Sequence, residues 1–573
     1  MSKSYTRTTK EIEENIQALC SYIRKAGLDG AYISSFDIFM NEYVPMEECV
    51  RYYFTGFSGS VADVLLTSSG ECYLFVDGRY HEQADLEVKA SNVKIEKCPF
   101  GVSLFSALCE KAIELNIDSL WLDGDRTPLG HYEEFKTIVS KTCIESTNHL
   151  REFIELPTFK KDATISKVGN LLSSKEKAAL FLKKGEAFWL NSLDSIAWIT
   201  NMRGYGLPFQ SSFMGRCFIT NESVELAIPS HYDCVVEDEF IKVTKCEIDS
   251  FSKDLKVDPS ISKIYYDPAL INLTDYLVLS EKFNKENLLE RESGIIFIHA
   301  IKSASEMSYM DDSFARSDQA IVDTLKWLKK GFHEDQTITE MDFFNKTTEC
   351  YENRGSLEHS FGTISAFGSN SSIMHYSTPS KDLLAEDGML ALLDSGGYFE
   401  GGFATDTTRT IYLGKSVASD KQKEIYTLVL KGLLQAQAAI FPEGTWGSYI
   451  DALARTPILQ AGYNYAHGTG HGVGINVHEG GLRFSPTSSI PINIGNVGSI
   501  EPGIYLPGFG GVRLENIVSV VKHPTLVGML CFRPLVYIGF DHSLINFSLL
   551  NEVEKNWLSE YEEECRHRGT LLD

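Results

Sequence analysis

The stretch Asp406-Thr-Thr-Arg-Thr-Ile-Tyr-Leu413 begins with an acidic residue and continues as a strand-like run. A second acidic residue, Asp394, ends the apolar run Met389-Leu-Ala-Leu-Leu-Asp394. The residues between the two runs are rich in glycine, which favours turns. Two strands joined in this way form a hairpin that brings both carboxylates to one point. We therefore predict a metal-binding position at this end of the hairpin.

Three more potential metal ligands follow in glycine-rich segments. They are His471 in His467-Gly-Thr-Gly-His-Gly-Val-Gly474, Glu501 in Ser499-Ile-Glu-Pro-Gly-Ile-Tyr505, and Glu515 in Gly511-Val-Arg-Leu-Glu-Asn516. Each of these residues alone has an ordinary explanation, such as a loop histidine or an ion pair with Arg513. The five acidic and histidine residues together are far more specific than any one of them.

Two other interpretations of the glycine-rich segment fit less well. His467 and His471 have the spacing of a helical zinc motif, but the four alternating glycines disfavour a helix and the motif's central glutamate is missing. The same glycines are typical of a phosphate-binding loop, but no Lys-Ser or Lys-Thr follows them.

The ordered set of five ligands resembles that of the dinuclear-metal peptidases with the pita-bread fold, which include methionine aminopeptidases, prolidases and Xaa-Pro aminopeptidases (aminopeptidase P). The flanking segments are most similar to the aminopeptidase P branch, namely Asp406-Thr-Thr-Arg-Thr, His467-Gly-Thr-Gly-His-Gly-Val-Gly, Asn476-Val-His-Glu-Gly and Glu501-Pro-Gly-Ile-Tyr. The loop between Asp394 and Asp406 is one residue longer than the family pattern, and the loop between His471 and His478 is shorter.

The resemblance extends toward the N-terminus. Phe54-Thr-Gly-Phe-Ser-Gly-Ser60 and Asp77-Gly-Arg-Tyr80 resemble the first domain of the long, three-domain aminopeptidase P, and Ile196-Ala-Trp-Ile-Thr-Asn-Met-Arg-Gly204 resembles its second domain. The implied fold is mixed α/β (α+β). Two creatinase-like domains, 1–153 and 154–298, are expected to precede a pita-bread catalytic domain, 299–573.

The local patterns agree with mixed α and β structure. A helical stripe of Ile12, Ile16, Leu19 and Ile23 opens the chain, and strand-like runs follow at Gly30 and Gly70. Gly185-Glu-Ala-Phe-Trp-Leu190 resembles the run at Gly30, which indicates a weak internal duplication. Two unrelated α/β domains with chance similarity are the alternative.

Two long helices are predicted in the third segment. Ser303 and Glu306 have the spacing of a capping box, and an apolar stripe runs from Met307 to Leu328 before a stop at Gly331. A second helix is predicted from Ser419 to Ile440, ended by Pro442.

The resemblance implies a role for each site residue. Asp394 would ligate one metal, and Asp406 and Glu515 would bridge both metals. His471 and Glu501 would complete the shell of the other metal, and Glu501 would also act as the general base toward a bridging water.

The surrounding residues would bind the substrate. His375 and His478 would stabilise the tetrahedral intermediate and assist proton transfer to the leaving proline nitrogen. His467 would line the proline pocket, and Arg513 would orient the carboxylate ligands. Ordinary core or loop histidines are the alternative for His375, His467 and His478.

The ligand set also bears on the metal. Four carboxylates carry four negative charges, which formally neutralise two divalent cations. The set is rich in hard oxygen ligands, so we expect two Mn²⁺ ions per subunit, with Zn²⁺ or Co²⁺ as alternatives. Two such ions would activate water and polarise the scissile carbonyl.

Composition limits the classes of partner. The 573 residues carry a net charge of −25, which disfavours general nucleic-acid binding. No run of about 18 apolar residues predicts a membrane span, and the segment from Met1 to Gly30 lacks the apolar core of a secretory signal. Twelve scattered cysteines without a CxxC pair are typical of reduced thiols, so we expect a cytoplasmic protein.

The expected activity is therefore that of an Xaa-Pro aminopeptidase, which removes the N-terminal residue from short peptides with proline second. A homodimer is the family default. A prolidase restricted to dipeptides is the second hypothesis, although prolidases usually carry one N-terminal domain of this type. A catalytically inactive binding module is the third, and such relatives lose the metal ligands that this chain retains.

Overall fold

The computed structural model of the protein describes residues 7–292 and 294–572. Its first sheet has six strands. The strands are β1 (Gly30–Ile33), β2 (Asp63–Thr67), β3 (Cys72–Val76), β4 (Val93–Lys97), β5 (Ser119–Asp123) and β6 (Lys141–Glu145). The helices of this region are α1 (Thr9–Lys25), α2 (Val50–Thr55), α3 (His81–Glu87), α4 (Leu104–Glu114), α5 (Leu129–Ile138) and α6 (Thr147–Leu150). The predicted stripe of α1 is buried, and the runs at Gly30 and Gly70 form β1 and β3, so these predictions are confirmed.

A second six-stranded sheet follows in the chain. The strands of this region are β7 (Thr164–Lys167), β8 (Glu186–Leu190), β9 (Met202–Arg203), β10 (Arg216–Thr220), β11 (Val224–Pro229), β12 (Asp233–Cys234), β13 (Ile241–Cys246), β14 (Lys263–Tyr266) and β15 (Leu288–Glu290). Its helices are α7 (Ser174–Ala179), α8 (Leu193–Thr200), α9 (Phe251–Asp254) and α10 (Leu273–Lys282). The large sheet has the order β13-β11-β10-β8-β14-β15, and β12-β7-β9 form a small one.

The two large sheets have the same topology. The first has the order β4-β3-β2-β1-β5-β6, and each member has its counterpart at the same place in the second. The central strands β1 and β8 both pair antiparallel on one side and parallel on the other. Since Gly185–Leu190 and the run at Gly30 form these equivalent central strands, the internal duplication is confirmed.

The chain divides into two compact units between Ile295 and Ile296, and residues 209–211 belong to the second unit. Both large sheets lie in the first unit. Main-chain hydrogen bonds join its two halves, from Leu273 N to Thr127 O at 2.9 Å and from Leu129 N to Ile271 O at 3.1 Å. The domain boundaries at 153 and 298 stay predictions.

The second unit is rich in strands. They are β16 (Glu358–His359), β17 (Ile364–Phe367), β18 (Met389–Ser395), β19 (Gly397–Tyr398), β20 (Thr407–Leu413), β21 (Ile440–Pro442), β22 (Gly470–Gly472), β23 (Glu479–Phe484), β24 (Val497–Ile500), β25 (Gly503–Leu506), β26 (Gly510–Arg513), β27 (Asn516–Lys522) and β28 (Met529–Pro534). The helices are α11 (Gly294–His299), α12 (Ala304–His333), α13 (Glu340–Asn353), α14 (Asp420–Gln437), α15 (Gly447–Gln460) and α16 (Glu552–Arg568). Sheets form in the orders β17-β18-β20, β21-β28-β27-β24-β22-β23, β16-β19 and β25-β26.

A buried apolar cluster supports the strands of the second unit. Ile425 and Leu433 of α14 belong to the same cluster as Ile450 of α15, Ile500 of β24 and Val518 of β27. The last two residues lie within three positions of Glu501 and Glu515. Burial of this cluster therefore fixes the strand ends from which two predicted metal ligands project.

Both predicted long helices are present, with corrections at their C-terminal ends. The capping box of Ser303 and Glu306 is formed, but α12 continues through Gly331 to His333. A Cβ at Gly331 would lie 2.7 Å from Cδ1 of Ile338, so this glycine permits close packing and does not stop the helix. Helix α14 ends at Gln437, and Ile440 belongs to strand β21.

Among the helices formed by residues 7–292 and 294–572, none combines the length and the apolar character of a membrane-spanning segment.

Candidate metal centre

The predicted hairpin is formed by β18 and β20. The two strands pair antiparallel, with Asp394 opposite Thr408 and Ser395 opposite Thr407. Asp406 directly precedes β20 and is buried. The hairpin therefore places Asp394 and Asp406 at the same end, as the sequence predicts.

The predicted absence of a helix around His471 is also confirmed, since the residue lies in strand β22. A Cβ at Gly470 would approach the carbonyl oxygen of Ser499 to 1.9 Å, so only glycine permits this strand contact. The Ser499 hydroxyl accepts from His471 N at 3.0 Å and donates to Oε1 of Glu501 at 3.2 Å. These bonds join the ends of β22 and β24 and bring His471 and Glu501 together.

Glu515 lies between β26 and β27 and faces the hairpin. Its backbone N–H donates to Thr408 O at 3.1 Å, and its Oε2 accepts from the Thr408 hydroxyl at 2.9 Å. Ligand atoms of Asp406, His471 and Glu515 all lie within 4.8 Å of one another. The side chains of three predicted ligands from three separate strand ends therefore converge.

The His471 ring is oriented as a metal ligand would be. Its Nδ1 lies 3.0 Å from the Gly472 carbonyl, to which it can only donate. Its Nε2 then carries the lone pair, and it lies 3.3 Å from Oε1 of Glu501 and 3.5 Å from Oδ2 of Asp406. Since acceptors face each other here, a proton or a cation must lie between them.

The electrostatics of the centre also favour a cation among its carboxylates. Burial and the carboxylates of Glu515 and Asp394 raise the pKa of Asp406 well above its usual range. Burial and the carboxylates of Glu501 and Asp394 do the same to the pKa of Glu515. Burial would raise the pKa of Glu501, but when a proton occupies Nε2 of His471, the hydrogen bond and charge of that ring lower the pKa of Glu501 to about 2.

Two carboxylate oxygens in the centre are buried without a hydrogen-bond partner, Oδ1 of Asp394 and Oε1 of Glu515. Buried polar atoms are normally paired, because desolvation without a partner costs about 1–3 kcal/mol. Hard oxygen donors with excess negative charge fit divalent cations. The residues present are therefore chemically suited to the metals that the sequence predicts.

Arg513 forms hydrogen bonds to three side chains in and around the candidate metal centre. Its buried guanidinium donates from Nη2 to Oδ2 of Asp394 at 2.5 Å and from Nε to the Thr408 hydroxyl at 3.0 Å. Its Nη1 donates to the hydroxyl of Tyr505 at 2.9 Å. Arg513 thus contacts Asp394 directly, as expected for a residue that orients the carboxylates.

Tyr505 is a site residue that the sequence does not single out. Its hydroxyl also lies 2.9 Å from Nε2 of His467, whose Nδ1 lies 2.7 Å from the Gly468 carbonyl. The carbonyl only accepts, so Nδ1 carries the proton and Tyr505 donates to Nε2. Burial lowers the pKa of His467 to about 4, which keeps this ring neutral. The quoted segment Glu501-Pro-Gly-Ile-Tyr505 already contains Tyr505, but its partner His467 lies 38 positions away in the sequence.

The two remaining histidines lie at different distances from the centre. The ring centroid of His478 is 4.3 Å from that of His471, in an edge-on arrangement. His375 is half-buried, and the carbonyl of the preceding Met374 accepts from Nη1 of Arg513 at 3.4 Å. The structure therefore brings His478 directly against a predicted ligand and places the His375 segment beside Arg513.

The buried carboxylate–imidazole cluster is a ligand set suited to divalent metal ions. Residues 308–522 match Metallopeptidase family M24, and residues 15–153 and 158–306 each match the Creatinase/Prolidase N-terminal domain. The chain therefore contains an M24 metallopeptidase domain that follows two creatinase/prolidase N-terminal domains. The predicted fold class and family are thereby confirmed.

Proteins of similar length resemble the chain throughout. A probable Xaa-Pro aminopeptidase P of Laccaria bicolor is 29% identical over 97% of this chain and 90% of its own length. Aminopeptidase P2 of Arabidopsis thaliana is 27% identical over 95% of this chain and 84% of its own length.

A solved structure agrees in fold. The X-prolyl aminopeptidase of Caenorhabditis elegans, described as a cytosolic enzyme with a dinuclear active site, has a TM-score of 0.86 at 24% identity. The match covers 98% of this chain and 96% of that chain.

Proposed function

We propose that this protein is a metal-dependent aminopeptidase that removes the N-terminal residue from peptides with proline in the second position. The observation that carries the proposal is the convergence of Asp406, His471 and Glu515 in a buried centre lined by further carboxylates. The full-length similarity to Xaa-Pro aminopeptidases supports the substrate class.

The ligands divide between two metal positions. We assign Asp394 to one position and His471 and Glu501 to the other, with Asp406 and Glu515 shared by both. One oxygen of Asp394 and one of Glu515 support this assignment, because neither has a hydrogen-bond partner and each can therefore coordinate a metal ion. When bound, two divalent cations supply Lewis acidity for water and for the attacked carbonyl.

Glu501 is the proposed general base. A carboxylate at this position can accept the proton of a water molecule within hydrogen-bond reach. His478 and His375 are proposed to hydrogen-bond the reacting carbonyl and to pass the proton onward to the proline nitrogen. That nitrogen carries no N–H and needs a proton before it can leave as a secondary amine.

We assign the binding of the substrate's proline ring to His467. His467 is uncharged and held in one tautomer by Tyr505, so its ring offers a fixed, weakly polar surface to a proline ring. We propose that the guanidinium of Arg513 holds the side chains of Asp394 and Tyr505 in place.

The metal, the assembly and the compartment are proposed on other grounds. Mn²⁺ suits the oxygen-rich ligands, with Zn²⁺ and Co²⁺ as alternatives. We propose a homodimer of three-domain subunits, divided at 153 and 298, that acts on short peptides without nucleic-acid or membrane partners. A cytoplasmic location is supported by twelve free cysteines, none of which forms a disulfide within the described residues.

The activity is tested with a pair of substrates. Chelated protein is reloaded with Mn²⁺ and given an Xaa-Pro-Xaa tripeptide or the matching Xaa-Pro dipeptide. We expect metal-dependent release of the first residue from the tripeptide and little cleavage of the dipeptide. Cleavage of the dipeptide alone would indicate a prolidase instead, and cleavage of neither peptide by metal-loaded protein would contradict the proposed substrate class.

A further inference from the structure

Glu340 is a fully buried glutamate outside the metal centre, at the first position of helix α13. Its Oε1 accepts from the backbone N–H of Phe367 at 2.7 Å. Its Oε2 accepts from the Tyr376 hydroxyl at 2.7 Å and from the backbone N–H of Ser380 at 2.9 Å. The side-chain amide of Asn370 donates to both oxygens, at 3.1 and 3.2 Å.

All these donors belong to one segment of the chain, 367–380. Phe367 and Asn370 lie before His375, and Tyr376 and Ser380 follow it. The single carboxylate therefore fixes the segment on both sides of a residue that we assign to the substrate. Tyr376 is the direct neighbour of His375, so its bond to Glu340 restrains the peptide unit that joins the two residues.

The opposite side of the segment rests on strand β26. The Ser371 hydroxyl accepts from the backbone N–H of Gly511 at 2.8 Å, and a Cβ at Gly511 would lie 2.2 Å from Ser371 O. The carbonyl of Met374 accepts from Arg513, which also holds Asp394. The segment is thus fixed between Glu340 and the strand that carries Arg513.

The hydrogen bonds require a carboxylate at position 340. Each oxygen accepts from a backbone N–H, Phe367 on one side and Ser380 on the other. A glutamine would set its NH₂ group against one of these N–H groups in either orientation of the amide. A buried donor facing a donor costs about 1–3 kcal/mol, so the segment would move to relieve it.

We propose that Glu340 is a positioning residue that holds segment 367–380 so that His375 meets the substrate. The proposal rests on the proposed function, which gives His375 its contact with the reacting carbonyl. Glu340 itself touches neither the metal ligands nor, in this assignment, the substrate.

The first test compares Glu340→Gln with wild type in kinetics, metal content and hydrogen exchange. We expect kcat to fall about tenfold or more with little change in KM, because a displaced transition-state contact lowers kcat. We expect unchanged metal content and faster exchange in peptides that cover 367–380. Tyr376→Phe removes only one of the bonds to Glu340, together with the bond from Asn370 to the same hydroxyl, and should move both quantities in the same direction by less.

Asp342→Ala is the matched control. Asp342 accepts from Thr339 N at 2.9 Å and from its hydroxyl at 2.7 Å in the capping box of the same helix, and it makes no bond to 367–380. This variant should lower the thermal stability without changing kcat or exchange in 367–380. An equal fall of kcat in Asp342→Ala and Glu340→Gln would show that general weakening of α13 explains the loss, which would overturn the proposal.

A double-mutant cycle separates positioning from general damage. If Glu340 acts through His375, Glu340→Gln should cost less than about twofold in kcat when His375→Ala is already present. A full second loss in the double variant would overturn the proposal. So would unchanged exchange of 367–380 in Glu340→Gln, a result that does not depend on any substrate. Wild-type protein that cleaves neither peptide would contradict the proposed function instead, while the exchange comparison would still decide whether Glu340 holds the segment.

Discussion

The hydroxyl of Tyr505 lies 2.9 Å from Nε2 of His467. The same hydroxyl accepts a hydrogen bond from Arg513, which in turn binds Asp394. The candidate proline pocket and a candidate metal ligand are therefore joined by two intervening side chains. A change in this chain should disturb substrate binding and the carboxylate shell together.

We expect Tyr505→Phe to lower kcat/KM roughly tenfold, which corresponds to one buried hydrogen bond of about 1–1.5 kcal/mol. The variant removes the donor to Nε2 of His467 and leaves Nη1 of Arg513 with a weaker partner. Steady-state kinetics on an Xaa-Pro-Xaa peptide measure the loss. Tyr449→Phe, at an exposed tyrosine, is the control, and equal kinetics for Tyr505→Phe and wild type would contradict the role assigned to this chain.

Glu501→Ala should abolish turnover while the fold stays intact, because the variant removes the proposed base and a metal ligand at once. We expect a loss of more than about 10⁴-fold, because general base catalysis alone contributes roughly 10²–10⁴-fold and the metal shell is also affected. Single-turnover assays and circular dichroism measure the two properties. Glu386→Ala, at an exposed glutamate, is the control. Near-wild-type rates in Glu501→Ala would rule out the mechanism.

Asp406→Ala should lower the bound metal, since this carboxylate lies against both His471 and Glu515. Native mass spectrometry after dialysis against chelator and reloading gives the metal count per chain. An exposed residue, Asp382→Ala, should keep the wild-type count. An unchanged count in Asp406→Ala would remove this residue from the metal centre.

The local features of the catalytic unit follow from its sequence. Two apolar runs that each adjoin an aspartate predict the hairpin that brings Asp394 and Asp406 together. The spacing of Ser303 and Glu306 predicts where α12 begins. These signals are readable because they depend on neighbours a few positions away. The likeness between the runs at Gly30 and Gly185 is also local, and the two sheets show the same topology around them.

The long-range contacts could not be predicted in this way. Glu340 is the first residue of helix α13, where a glutamate side chain usually faces water. Its hydrogen-bond partners lie 27 to 40 positions away in the sequence. Tyr505 has no local pattern that marks it as the neighbour of His467. Gly331 has the sequence position of a helix stop, but its real constraint is a contact with Ile338 across a turn.

A last prediction concerns acid stability and a buried ionic cluster beside His478. Glu479 is fully buried, forms an ion pair with Lys302 and lies 3.2 Å from Nδ1 of His299. Burial would raise the pKa of Glu479, but the positive charges of Lys302 and His299 lower it to about 2.

A carboxylate whose pKa is depressed on folding stabilises the protein above its unfolded pKa, near 4.5, and loses that contribution as the pH falls toward 2. We therefore expect Glu479→Gln to lower the free energy of unfolding at pH 7 by about 3 kcal/mol, partly because Lys302 is left buried without its partner. Between pH 4.5 and 2 the wild type should lose stability more steeply than the variant, so the two curves converge. Urea unfolding at a series of pH values measures both curves.

Lys302→Met with Glu479→Gln, which removes the charged pair, should recover part of the loss at pH 7. Parallel curves for Glu479→Gln and wild type across this range would show that the cluster does not control acid stability.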